Sequence, residues 1–140
     1  MPEAKTGSCE CGAVKYETRG ELRPIVACHC HQCRKLTGHH MAASASLVKD
    51  FTLTTGDDVL SWYTSSDIAK RGFCSKCGSQ LFWQHFGSPQ ISITAGSFDD
   101  DSDIGFWGHI FCSDKGSYYE IPGDELQCDE KPVGYPELKG

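Results

Sequence analysis

The segment "ACHCHQCRKLTG" (27–38) contains three cysteines, Cys28, Cys30 and Cys33, with two histidines between them. Cysteine thiolates at such short spacing are typical ligands of zinc, and a structural zinc site normally takes four protein ligands. This segment offers three sulfurs, which leaves three interpretations open. It is an open or labile metal site, a site that a histidine closes, or a cluster of reactive thiols without a metal.

The two histidines of the segment, His29 and His31, could each complete a closed site with three sulfurs and one imidazole. In a tight loop, however, the residues between the ligands tend to point outward, so we expect the open site. Three thiolates around a divalent cation form a net anion with one free coordination position. The ligand that best suits such a soft, sulfur-rich zinc is another thiolate.

Two further cysteine pairs lie outside this segment: "CEC" holds Cys9 and Cys11, and "CSKC" holds Cys74 and Cys77. The spacing of the second pair is that of a zinc knuckle, and Gly78 directly after it permits the positive φ of a tight turn. Together the pairs predict one structural zinc site with four sulfur ligands. The alternative is a set of buried or redox-active thiols.

The remaining cysteines and histidines carry weaker signals. We expect Cys112, in the predicted strand "HIFC", to be a buried small hydrophobic residue, and Cys128 to be a free thiol. For His109 a hydrogen-bonded structural role is the expectation, and a proton carrier near the site is the alternative. No spacing pattern marks the other histidines, which are His39, His40 and His85.

The composition is that of an ordinary globular protein, with 140 residues, 39% hydrophobic and 23% charged. We expect a single domain over residues 1–140, with a core at about 7–122 and an irregular C-terminal tail at 129–140. The net charge of −6 argues against nucleic acid or an anionic membrane as a partner. Because neither an apolar spanning run nor an apolar leader is present, we expect a cytoplasmic protein, whose nine cysteines are then metal ligands rather than disulfides.

The hydrophobic pattern predicts a mostly-β fold of antiparallel sheets with one short helix. The helix is expected at 31–38, with Gly38 as its C-cap. An acidic surface loop is expected at 98–105. The predicted strands are 13–18, 24–30, 41–48, 51–56, 59–64, 68–74, 80–86, 90–97, 109–112 and 117–121.

Five motifs occur in a specific order along the chain: "GSCECGAVKYE" (7–17), "CHCHQCRKLTG" (28–38), "KRGFCSKCGSQLF" (70–82), "ITAGSFDD" (93–100) and "HI" (109–110). In this order they resemble the glutathione-dependent formaldehyde-activating enzymes, also called the centromere-protein-V-type domain family. The resemblance extends over residues 7–122. It implies a β-tent-like zinc-binding fold of antiparallel sheets.

By matching positions, the resemblance implies a structural zinc on one cysteine set and a second, exchangeable zinc on the other. The structural set is Cys9, Cys11, Cys74 and Cys77, and the second is Cys28, Cys30 and Cys33. The activity it implies is addition of the glutathione thiol to formaldehyde, which gives S-hydroxymethylglutathione. Formally, this is a carbon–sulfur lyase working in the synthetic direction.

The substrates implied are thus a small-molecule thiol, glutathione, and a small aldehyde. Either the zinc lowers the pKa of the bound thiol, or it polarises the aldehyde oxygen. The backbone around Gly96 and Ser97, or His109, would then assist the developing alkoxide. Arg34, beside the cysteine segment, would pair with a glutathione carboxylate.

Two other functions are compatible with parts of the pattern. The first is a non-catalytic zinc domain that binds a protein partner or carries glutathione or formaldehyde, although the chain lacks the basic extensions expected of the centromere-associated relatives. The second is a methionine-sulfoxide reductase, which would need a reactive cysteine on a late strand. Cys112 is the candidate, but its surroundings "HIFCSD" do not resemble that family.

Overall fold

The computed structural model describes residues 3–138 and contains, within that range, ten short strands and one short α-helix. The helix is α1 (His31–Thr37). The strands are β1 (Lys5–Ser8), β2 (Lys15–Thr18), β3 (Ile25–Cys28), β4 (Met41–Leu47), β5 (Phe51–Thr55), β6 (Leu60–Thr64), β7 (Ala69–Cys74), β8 (Gln80–His85), β9 (Gln90–Thr94) and β10 (Phe106–Ile110). The prediction of a mostly-β fold with one helix is confirmed.

The strands form two sheets. The smaller has the order β1-β2-β5, and the larger has the order β10-β3-β4-β9-β8-β7-β6. Neighbouring strands run antiparallel, as predicted, except that β3 and β10 run parallel. No helix of the described residues is long and apolar enough to cross a membrane.

The core between the sheets is built around the aromatic ring of Tyr16, which is 1% exposed. Its ring stacks on Phe51 and meets the edges of Phe82 and Phe98, with centroid distances of 5.5–5.8 Å. Its hydroxyl forms a 2.7 Å hydrogen bond with Ser97 Oγ. Tyr16 thus supplies a large apolar surface and keeps its polar end satisfied.

Helix α1 is short because its ends are fixed by local chemistry. Cys30 is the N-cap residue, and its sulfur accepts a hydrogen bond from the Cys33 backbone N–H. Gly38 ends the helix with a φ of 82°, and its N–H donates to the Arg34 carbonyl, which confirms the predicted C-cap. The capping sulfur therefore belongs to the cysteine segment itself.

The structure differs from the predicted elements at both ends of the fold. Strand β1 was not predicted, and the predicted strand at 117–121 is wrong, because that segment forms turns. Strand β10 begins at Phe106 and ends before Cys112, which lies in the 3-10 turn Cys112–Asp114 and is partly exposed rather than buried. The strand stops because Phe111 has a φ of 54°, in the left-handed region.

The C-terminal tail is free of helices and strands from 129 to 138, and its last two residues lie outside the described range. It is nevertheless anchored to the fold. Arg23 Nη1 donates a 2.8 Å hydrogen bond to the Tyr135 hydroxyl, and Leu138 packs with Leu47. The tail thus has an irregular backbone over 129–138 and is held by specific contacts.

The contact between Gly7 and the Tyr16 hydroxyl gives a test of this core. A methyl group at Gly7 would lie against that hydroxyl and only 2.5 Å from the Ser97 carbonyl oxygen. We expect Gly7→Ala to lower the free energy of unfolding by about 1–3 kcal/mol, measured by urea denaturation. Gly123→Ala, where a methyl group meets open space, should change it by less than about 0.5 kcal/mol. Equal stabilities of the two variants would contradict this account of the packing.

Candidate metal centres

The two distant cysteine pairs meet in space. The sulfurs of Cys9, Cys11, Cys74 and Cys77 all lie within 4.8 Å of one another. Cys9 and Cys11 follow β1 of the smaller sheet, whereas Cys74 ends β7 of the larger sheet and Cys77 lies in the next turn. The cluster therefore joins the two sheets at one point.

The geometry of this four-sulfur centre fits a zinc ion. The Cys11 sulfur lies 3.7 Å from Cys9 Sγ and 3.8 Å from Cys74 Sγ. A tetrahedral ion with Zn–S bonds of about 2.3 Å places its sulfurs about 3.8 Å apart. The donor set and its spacing thus suit the metal that the sequence predicts.

Each turn of this centre contains a glycine in the left-handed region. Gly12 and Gly78 follow the two cysteine pairs, and both have a φ of 79°. This conformation lets the chain curl so that backbone N–H groups point at the sulfurs. Val14 N lies 3.3 Å from Cys9 Sγ, and Cys77 N lies 3.5 Å from Cys74 Sγ. Such N–H donors stabilise thiolates around a cation.

The second cluster contains the sulfurs of Cys28, Cys30 and Cys33, which also lie within 4.8 Å of one another. Cys28 ends β3, Cys30 caps α1, and Cys33 lies in the first turn of that helix. No histidine, carboxylate or further cysteine of residues 3–138 joins this cluster as a fourth ligand. Hydrogen bonds from the Cys28 and Cys33 thiols lower the pKa of Cys30, which favours an anionic sulfur at this position.

The histidines of the segment have opposite surroundings. His31 is exposed, as expected, but the expectation that His29 points outward is wrong, because His29 is fully buried. Its Nε2 lies 2.8 Å from His109 Nδ1, and its Nδ1 is hydrogen-bonded to the Tyr119 hydroxyl. Both ring nitrogens are thus occupied by partners other than the sulfur cluster.

A chain of hydrogen bonds runs through His29 from Tyr119 to Glu125. His109 is hydrogen-bonded on both sides, as predicted, since its Nε2 lies 2.7 Å from a Glu125 carboxylate oxygen. The carboxylate accepts only, so His109 Nε2 donates to it. With one proton on each imidazole, His29 Nε2 then donates to His109, and Tyr119 donates to His29. Burial lowers the pKa of His29 to about 4, which keeps this imidazole neutral at pH 7.

Two of the histidines without a spacing pattern, His39 and His40, lie beside this chain of hydrogen bonds. The ring of His40 lies 4.6 Å from that of His29, and the ring of His39 lies 4.6 Å from that of Tyr119. This grouping was not predictable from the sequence, because its members come from separate segments of the chain. The available signal was the pair "HH" at 39–40 directly after the helix, which alone does not identify a cluster.

Two cavities border the C-terminal half of α1. The larger, of about 740 Å³, is lined on one side by Leu36 and Thr37 and on the other by Gly96 and Ser97. The smaller, of about 270 Å³, is lined by Arg34 together with five other residues, which are His31, Lys35, Gly38, His39 and Tyr118. The residues predicted to contact glutathione thus lie in two cavities on either side of one helix.

A buried arginine, absent from the predicted site, lies against the three-sulfur cluster. Arg71 is 4% exposed, and its Nη2 lies 3.5 Å from Cys33 Sγ and 3.0 Å from Gln32 Oε1. The motif "KRGFC" contains this residue, but nothing in the sequence indicates that it faces a cysteine 38 residues earlier.

A mostly-β fold with two separate cysteine clusters defines a class of proteins equipped to hold metal ions at two points. A sequence model of the glutathione-dependent formaldehyde-activating enzymes matches residues 4–114, and the chain belongs to that family. The resemblance drawn from the motifs is confirmed.

Individual relatives are more distant. The chain is 29% identical over 122 residues to a protein of Schizosaccharomyces pombe named an uncharacterized lyase, covering 86% of this chain and 87% of the relative. It is also 29% identical over 146 aligned positions to a Halomonas elongata protein whose name places it provisionally in the same family, covering 94% and 88%. A crystal structure of a Rhodobacter sphaeroides protein has the same fold, with a TM-score of 0.58, 24% identity and coverage of 72% of this chain and 98% of the other.

The four-sulfur centre leads to a prediction about folding. Because the centre joins the two sheets, Cys74→Ser should lose one zinc per chain, counted by mass spectrometry of the purified protein, and should lose its cooperative thermal unfolding transition. Cys128→Ser, at a thiol outside both clusters, should keep the metal content and transition of the native protein. A Cys74→Ser variant that keeps both zinc content and thermal stability would refute a structural role.

The histidine chain leads to a second prediction. His109→Leu leaves the buried Nε2 of His29 without a partner, so the free energy of unfolding should fall by about 1–3 kcal/mol in urea denaturation. His85→Leu is the control, since His85 is exposed and, among residues 3–138, is hydrogen-bonded only to the carbonyl of its neighbour Phe86. Its effect should stay within about 0.5 kcal/mol. If both variants lose the same free energy of unfolding, the hydrogen bonds of the buried network make no contribution of their own to stability.

Proposed function

We propose that this protein is a zinc-dependent enzyme that joins the thiol of glutathione to formaldehyde and forms S-hydroxymethylglutathione. Formally it is a carbon–sulfur lyase acting in the synthetic direction. The observation that carries the proposal is the three-sulfur cluster of Cys28, Cys30 and Cys33, to which the described residues add no fourth ligand. Family membership supplies the substrate class.

The proposal assigns the two cysteine clusters different tasks. Four sulfurs complete a tetrahedral coordination shell, so Cys9, Cys11, Cys74 and Cys77 would hold a structural zinc. Cys28, Cys30 and Cys33 would hold the functional zinc. An ion held there supplies two kinds of chemistry, a lowered pKa for a bound thiol and polarisation of a bound carbonyl oxygen.

The residues around α1 would bind and orient glutathione. Arg34 donates one hydrogen bond to the Asp114 carbonyl, which fixes the side chain beside the smaller cavity. Its other N–H groups are suited to a glutathione carboxylate, because guanidinium binds carboxylates through paired hydrogen bonds. Gly96 and Ser97 line the larger cavity, which none of Cys28, Cys30 and Cys33 borders, and their backbone groups would bind part of the glutathione molecule.

The atoms of the reaction balance without an oxidant or reductant. A carbon–sulfur bond forms, the carbonyl double bond becomes a single bond, and the thiol proton ends on the new hydroxyl oxygen. His109 is bonded to His29 and Glu125, so it holds its protons inside the network and does not face the substrate directly. We therefore assign the network the task of fixing the backbone between Cys28 and Cys30.

The proposal places the activity in one domain at about 7–122 and the protein in the cytoplasm. None of the nine cysteines forms a disulfide, which is in keeping with a reducing compartment. The net charge of −6 is unsuited to nucleic acid. Small molecules, a thiol and an aldehyde, are the proposed partners.

The direct test is the rate of adduct formation, followed by proton NMR with glutathione and formaldehyde at concentrations where the uncatalysed reaction is slow. The native protein should accelerate the reaction, and Cys30→Ser should lose at least about tenfold of that acceleration, because a hydroxyl is a poor replacement for a zinc-bound thiolate. Cys128→Ser is the matched control at a cysteine outside both clusters.

Two results would contradict the proposal. The first is a native protein, loaded with zinc at both centres, that does not change the rate of adduct formation. The second is a Cys30→Ser variant with full acceleration. The first result would leave the family membership and the fold untouched.

A further inference from the structure

Arg71 is a buried cation without a carboxylate partner. It lies on β7 and is 4% exposed. Within residues 3–138, no carboxylate oxygen lies within 4.0 Å of its nitrogens. Its Nε is buried and has no hydrogen-bond partner among the described residues. A guanidinium remains charged at all ordinary pH values, so this is a full positive charge inside the protein.

The neighbours of this guanidinium are sulfur atoms and one amide. Nη2 donates to Gln32 Oε1 at 3.0 Å and lies 3.5 Å from Cys33 Sγ. Nη1 lies 3.4 Å from Met41 Sδ. Gln32 is itself held, since its Nε2 donates to the Ser65 carbonyl at 2.8 Å. The arginine is thus fixed in direction by an amide and aimed at the sulfur cluster.

A buried charge costs several kcal/mol unless an opposite charge compensates it. Among the described residues, the cluster of Cys28, Cys30 and Cys33 is the group with anionic character that Arg71 contacts, and three thiolates around a divalent cation would carry one net negative charge. The guanidinium and the metal-loaded cluster together are therefore neutral. A neutral pair accepts an additional anion more readily than a lone anionic centre does, because the repulsion between like charges is removed.

We infer that Arg71 determines the charge of the ligand that the three-sulfur centre accepts, and that it selects an anionic thiolate over a neutral donor. Arg71 does not touch the reacting atoms and acts through the sulfurs, so it is a specificity-determining positioning residue. The inference rests on the proposed function, since it concerns the same centre and names the class of its fourth ligand.

The experiment measures ligand binding rather than turnover. The native protein is loaded with Co²⁺ at both centres, and binding of a fourth ligand is followed by the visible absorption of the cobalt. The two probes are 2-mercaptoethanol, which binds as an anionic thiolate and lacks the carboxylates of glutathione, and imidazole, which binds as a neutral donor. The four-sulfur centre is already complete and should not respond to either.

In Arg71→Met, the affinity for 2-mercaptoethanol should fall about tenfold or more, whereas the affinity for imidazole should stay within about twofold. Arg71→Lys keeps the charge and should retain most of the preference for the thiol. Lys70→Met is the control, because this neighbouring cation lies over the Trp62 ring and away from the cluster. It should leave both affinities unchanged.

A second variant, Gln32→Glu, keeps the guanidinium of Arg71 and compensates its charge with a carboxylate. Gln32→Glu places a carboxylate of almost the same shape at the atom that accepts from Arg71 Nη2. The pair so formed should weaken thiol binding as Arg71→Met does and leave imidazole binding unchanged. If Arg71→Met does not fold, thiol and imidazole binding by Gln32→Glu tests the inference instead.

Equal loss of both ligands, or no loss of either, in the variant that folds would overturn the inference, since a purely structural residue cannot distinguish the two charges. A native protein that shows the thiol preference but does not accelerate adduct formation would overturn the proposed function alone. A three-sulfur centre that binds no cobalt in the native protein would overturn both.

Discussion

The convergence of four sulfurs at one point is the constraint on which the rest of this structure depends. Cys9 and Cys11 follow a strand of the smaller sheet, whereas Cys74 ends a strand of the larger sheet and Cys77 lies in the turn after it. Cys9 and Cys74 are also members of the buried core beside Tyr16 and Phe82. Ligation of one ion would therefore fix the sheets against each other at the same place where their apolar faces meet. In a chain with strands of only four to seven residues, such a fixed point reduces the number of ways in which the sheets can pack.

Four sulfurs can complete a tetrahedral coordination shell, so the four-sulfur centre does not need ligands from the other cluster. The three sulfurs of that other cluster come from one continuous segment that ends β3 and begins α1, so their spacing is set by local backbone geometry. The Cys30 sulfur both caps the helix and belongs to the cluster. A change in the helix start would thus alter the cluster directly, which explains how a helix of seven residues has a defined position in a mostly-β fold.

The sequence predicted local features well and distant contacts poorly. The cysteine pairs were recognisable because their chemistry and their short spacing identify them without knowledge of the fold, and Gly38 was recognisable as a C-cap for the same reason. The burial of His29 was not predictable from its segment. Its partners Tyr119 and His109 are 90 and 80 residues away along the chain. Tyr119 lies in a segment wrongly predicted as a strand, and His109 lies in a strand that begins before the predicted one. The strand predicted at 117–121 was wrong, because the adjacent residues Tyr118 and Tyr119 both lie against His39 from a turn and do not alternate between two faces.

Arg71 shows most clearly why the site could not be completed from the sequence. A charged residue in a strand is ordinarily assigned to the solvent face, and the charges of Arg71 and Lys70 are indistinguishable in the motif "KRGFC". Adjacent residues of a strand point to opposite faces, so Lys70 and Arg71 lie on different faces of the larger sheet. Lys70 lies over Trp62, on the face that carries the core residue Phe82, and Arg71 is therefore buried on the opposite face, against the sulfur cluster. The face on which Trp62 lies therefore decides that the buried charge meets the sulfur cluster, and the electrostatics of that cluster depend on strand register as much as on the cysteines themselves.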